Sequence, residues 1–135
     1  ALQHFWYKKS MKVEQNSNAE PQSRILEEAV QLFQQIYVLT ADLPPATMFK
    51  QAMALRSAAM SLPPAIAEAE LRLEVLESME FFSLALGYLV ELKNQLAALG
   101  DTGPELAARF APVVAKVQEL GHLLEQRLSS LADYD

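Results

Sequence analysis

Glu119-Leu120-Gly121-His122 sets a carboxylate and an imidazole three residues apart. With that spacing, di-iron four-helix proteins turn two ligands from one helix toward a shared centre. Such a centre needs a second pair, and the only other histidine is His4, so His122 reads as an ordinary surface or boundary residue and no metal or other cofactor is expected. Nucleophilic catalysis finds no better footing. The chain has no cysteine, and Ser61, Ser83 and Ser129 stand in helical contexts without a histidine to activate them. A glycine-rich phosphate loop is also missing from the sequence. A protein without enzymatic activity is the expectation.

The remaining charges point to pairing and surface roles. Glu68, Glu70, Glu74, Glu77 and Glu80 face a single Arg72, an acidic run of the kind that is usually a solvated helix face. Glu91 interrupts the apolar stretch from Leu84 to Leu92 and should be exposed or paired with a cation. Arg56, the only charge between Ala52 and Pro64, is its natural partner; two independent boundary charges are the alternative. The densest basic cluster is Lys8, Lys9 and Lys12, beside Phe5, Trp6 and Tyr7. Eleven basic against seventeen acidic residues give a net charge of -6. Three lysines neutralise about three phosphates, so nucleic-acid binding is expected to be weak and sensitive to salt.

These residues must be positioned by helices. Residues 1–22 hold no sustained period and read as an N-terminal arm, within which Met11 is a candidate native start and residues 1–10 a candidate non-native leader. From Ser23, Leu26, Ala29, Val30, Phe33, Ile36 and Tyr37 recur at helical spacing, up to Asp42-Leu43-Pro44-Pro45. A second helix from near Pro45 carries Phe49, Ala52, Met53, Leu55, Ala59, Met60 and Leu62, then meets Pro63-Pro64, which should kink or break it before Ile66 re-enters the core. The third helix, from about Leu71 to Leu99, has two apolar stripes: Phe81, Leu84, Ala85, Tyr88, Leu92 and Leu96 on one side, and Val75, Met79, Phe82, Leu86 and Val90 on the other. Gly87 within it suggests close approach of another helix. Thr102 and Glu105 stand at capping-box spacing before a fourth helix, which runs to about Leu131 and should be bent by Pro112.

No segment alternates with period two, so the fold class expected for residues 23–135 is all-α: an antiparallel up-down-up-down four-helix bundle with a proline-kinked second helix. The composition, 51% hydrophobic with four glycines, excludes a disordered or collagen-like chain. The five methionines read as core gap-fillers. No apolar run reaches the 18 residues that a membrane span requires, and the expected location is the cytoplasm. Two stripes on one helix cannot both face a single core, so Val75, Met79, Phe82, Leu86 and Val90 are expected to be buried between subunits of a homo-oligomer.

Two segments carry a resemblance: Leu55-Arg56-Ser57-Ala58-Ala59-Met60-Ser61-Leu62-Pro63-Pro64-Ala65-Ile66-Ala67-Glu68 and Ala85-Leu86-Gly87-Tyr88-Leu89-Val90-Glu91-Leu92-Lys93-Asn94-Gln95-Leu96. With Glu119 to Leu124, they make the chain similar, over roughly Ile25 to Leu131, to the bacterial four-helix bundle proteins encoded in intervening sequences of large-subunit ribosomal RNA genes. The resemblance implies a ring-like homopentamer acting as a scaffold or accessory protein, with no established enzymatic activity. Through relatives among diversity-generating retroelement accessory proteins, it also implies an alternative role as an RNA-linked factor partnering a reverse transcriptase. The chain departs from that second pattern. Ala65 and Ala69 replace an asparagine and a glycine, and Glu70, Leu73 and Glu74 stand where basic residues are expected.

Overall fold

A computed structural model describes residues 21–133 of the protein. Four helices fill almost all of that span: α1 (Pro21–Ala41), α2 (Pro45–Leu71), α3 (Val75–Gly100) and α4 (Pro104–Ala132). Among the described residues there is no strand. Connections of only three residues force each helix to fold back beside the one before it. Along α3 and α4 the contacts run in reversed order: Gly100 meets Ala107, Leu89 meets Gly121, and Arg127 lies over the Phe82 ring. The α1–α4 pairing reverses likewise, Arg24 reaching Glu119 and Gln31 reaching Lys116.

One core runs the length of the bundle. Leu26, Leu32 and Ile36 of α1, Leu55, Leu62 and Ile66 of α2, Phe82, Leu92 and Leu99 of α3, and Phe110, Leu120 and Leu124 of α4 are its largest fully enclosed side chains. At roughly 1.5–3 kcal/mol per buried large side chain, this set supplies the main drive for folding. Ile66 is enclosed as the sequence implied.

Several local expectations need correction. The residues of α2 stay helical through Pro63 and Pro64, and Met48 is the residue with non-helical backbone angles (φ -125°, ψ 17°). Pro63 is buried in the core, where its ring takes the place of an apolar side chain, while Ser61 Oγ donates to the Ser57 carbonyl at 2.9 Å. Pro112 likewise lies inside an unbroken α4. Leu71 ends α2 instead of opening α3. The Thr102–Glu105 capping box does not form: the cap of α4 is Gly103, and Thr102 Oγ1 donates back to the Leu99 carbonyl at 2.7 Å, closing α3 instead. The N-terminal arm lies outside the described residues except at its end, where Pro21 and Gln22 already belong to α1.

Candidate interaction surface

The two residues that could have formed a metal half-site both lie on the surface of α4. Glu119 is exposed and sits 3.8 Å from Arg24 of α1, and His122 is exposed one turn away. Among the described residues no group of three or more His, Cys, Asp or Glu side chains is arranged to hold a metal ion. His4, Lys8, Lys9 and Lys12 lie outside the described residues.

Arg56 does not pair with Glu91. Its Nε donates to Thr40 Oγ1 at 2.7 Å, its Nη2 donates to the Tyr37 carbonyl at 3.2 Å, and its guanidinium lies 4.0 Å from the centre of the Tyr37 ring. Thr40 in turn donates to the Ile36 carbonyl at 2.7 Å. The cation therefore sits beside the Tyr37 carbonyl near the C-terminal end of α1, where the helix dipole favours positive charge. Glu91 is exposed and accepts a bond from Gln95 Nε2, one turn on, at 3.3 Å. In the acidic run, Arg72 takes Glu68 at 2.7 Å and covers the Phe81 ring.

Lys116 is a polar feature that sequence reasoning missed. Largely buried between α4 and α1, it lies 3.0 Å from Glu28 Oε2 and donates to Gln31 Oε1 at 2.9 Å. A lone lysine between Ala115 and Val117 carries no motif. Its one legible signal is position, one residue before the core residue Val117.

The apolar surface differs from the expected subunit interface. Phe82 is 1% exposed, because it continues the inward line Ser78, Phe82, Ala85, Leu89, Leu92, Leu96 and Leu99, which draws on both apolar stripes. Val75, Met79 and Leu86 are half-buried, and of the proposed five only Val90 is well exposed. The face of α3 that points away from the core instead carries Leu76, Leu84 and Val90. On α2, Phe49, Met53, Met60 and Leu71 are exposed, so two of the supposed core methionines lie on the surface. Tyr37 and Val38 of α1, and Leu73 in the α2–α3 turn at 99% exposure, complete the set.

Gly87 meets nothing of its own chain: a Cβ built there would find no atom within 4 Å. The close approach belongs to Gly121, where that Cβ would lie 3.5 Å from Leu89 Cδ2. Beside it, a cleft of about 190 Å³ opens between α3 and α4, floored by Leu86, Leu89 and Val117 and rimmed by Lys93, His122 and Glu125. A more open groove of about 400 Å³ between α1 and α4 is lined by Val38, Leu39, Pro112 and Val113, with Gln34, Gln35 and Arg109 at its polar edge. Neither gathers polar groups into a catalytic arrangement, and no helix among the described residues is long and apolar enough to cross a membrane.

The family model for the 23S rRNA-intervening sequence protein matches residues 21–126, which takes in α1, α2, α3 and most of α4. No curated protein matches the chain at a significant level.

Proposed function

The chain belongs to the 23S rRNA-intervening sequence protein family, and on that premise we propose that it is a non-enzymatic helical scaffold that works as a homo-oligomer. The observation that carries this reading is the number of large apolar side chains left in water on a single chain of 15.0 kDa: Phe49, Met53, Met60 and Leu71 on α2, with Leu76, Leu84 and Val90 on α3. At roughly 180 Å² per fully exposed side chain, these seven present about 600 Å² of apolar surface in total, divided between the α2 and α3 faces. Burial against further copies removes that surface from water.

The rival role, an RNA-linked accessory factor, calls for a basic surface. Residues 21–133 hold eight basic and fourteen acidic side chains, so the average field of the bundle repels a phosphate backbone. Light scattering after gel filtration tests the scaffold reading. The expected mass is several times 15.0 kDa; a clean monomer at micromolar concentration overturns it.

A further inference from the structure

The cleft between α3 and α4 carries charge that the chain itself does not use. Leu86, Leu89 and Lys93 line it from α3, and Val117, Gly121 and Glu125 from α4, each set three or four residues apart and so on one face of its helix. Contacts along the two helices run in reversed order, with Leu89 level with Gly121. Lys93 lies four residues beyond Leu89 and Glu125 four beyond Gly121. A cation and an anion therefore stand at opposite ends of the cleft, about 12 Å apart along the bundle. No other lysine, arginine, aspartate or glutamate lines it, and His122 completes the rim.

Neither charge is spent within the subunit. Among the described residues, Lys93 and Glu125 make no hydrogen bond and no ion pair, whereas Arg24, Arg56, Arg72 and Lys116 all do. Midway between them Gly121 puts no side chain on the α4 wall, and the floor there is Leu89, with Leu86 toward one end and Val117 toward the other. The space is about 190 Å³, somewhat more than the roughly 150 Å³ cavity that holds a benzene ring, so it takes one large apolar side chain.

We propose that this cleft docks an amphipathic helix of a partner protein, one that carries an acidic residue, a large apolar residue four positions on and a basic residue four positions after that. Eight residues of helix rise about 12 Å, which matches the separation of Lys93 from Glu125, and residues four apart share one face. The acidic side chain then reaches Lys93, the basic one reaches Glu125, and the apolar one lies over Gly121 against Leu89. The furrow between two packed helices guides the third along their length, as in other helix-in-groove complexes. Charges at the two ends set the register and disfavour helices of a single sign, while the apolar anchor supplies most of the affinity. This docking is separate from self-association and does not depend on it.

Fluorescence anisotropy tests it, with the full chain titrated into a fluorescein-labelled, end-blocked, alanine-based helical peptide that holds glutamate, leucine and lysine at four-residue intervals. Replacing the leucine by alanine should weaken binding more than tenfold. Lys93 and Glu125 are exposed, so Lys93→Glu and Glu125→Lys should keep the fold, which far-UV circular dichroism checks. Each variant should bind this peptide about tenfold more weakly. In exchange, Lys93→Glu should take a peptide with lysine at both outer positions, and Glu125→Lys one with glutamate at both, each about tenfold better than the wild-type protein does. Equal binding of the leucine and alanine peptides, no binding of any peptide, or variants that fail to exchange preference would overturn the proposal. So would a Lys93→Glu protein whose mass in light scattering falls below that of the wild type, since a second copy would then be the occupant.

Discussion

Replacing Arg56 by methionine keeps the aliphatic stem packed and removes only the guanidinium. Lost with it are the 2.7 Å bond to Thr40 Oγ1, the 3.2 Å bond to the Tyr37 carbonyl and the stacking on the Tyr37 ring. Each bond from this partly exposed cation contributes about 1 kcal/mol, discounted for solvent, and the ring contact adds about 0.5. Allowing for overlap, Arg56→Met should destabilise the fold by about 2 kcal/mol, or about 7 °C in Tm for a chain of this length. Urea unfolding followed by far-UV circular dichroism measures it, at fixed protein concentration because assembly couples to apparent stability. A double-mutant cycle with Thr40→Val should return a coupling of about 1 kcal/mol, whereas the cycle with Glu91→Gln should return none. A cost under about 0.5 kcal/mol would refute the cap on α1, and coupling to Glu91 with none to Thr40 would refute it in favour of the Arg56–Glu91 pair, one of the two readings the sequence allowed.

Ile66→Ala truncates a fully enclosed side chain and should cost about 2–4 kcal/mol in the same urea assay. Phe82→Glu should unfold the subunit instead of releasing folded monomers, which loss of the far-UV helical signal would show, because it places a carboxylate in the core. Lys116→Ala should cost about 2–3 kcal/mol by leaving Glu28 largely buried without its cation, and pairing Lys116→Met with Glu28→Leu should recover most of that loss. Gly121→Ala should be neutral or stabilise by up to about 1 kcal/mol in thermal unfolding, since the added methyl would meet Leu89 at ordinary contact distance.

The all-α class and the four helices were legible because a period of three to four residues runs through each segment and prolines stand at the helix starts, as at Pro45 and Pro104. Core positions such as Leu26, Leu55, Ile66 and Leu120 follow from the same period. The orientation of α3 was not legible: with Phe81, Phe82, Leu84, Leu86 and Val90 in one run, the period alone cannot choose which line points inward, and Phe82 was assigned to the wrong environment. Partner choice was equally hidden. Arg56 prefers the carbonyl end of α1 to Glu91 because a helix end offers unsatisfied acceptors that no spacing rule displays. A break at Pro63-Pro64 did not occur, for both prolines remain within a helix whose other turns are held by packing. Of the candidate surface, Val90 and Gly87 could be named from sequence, but Met53 and Met60 read as core until the fold turned them outward.

Self-association of this bundle is the proposal on which its scaffold role rests. Native mass spectrometry of the intact chain at micromolar concentration in ammonium acetate tests it most directly. The account predicts one dominant species at a single integer multiple, greater than two, of the 15.0 kDa chain mass. A spectrum of monomers alone, or an unbroken series of growing multiples with no preferred size, would contradict it.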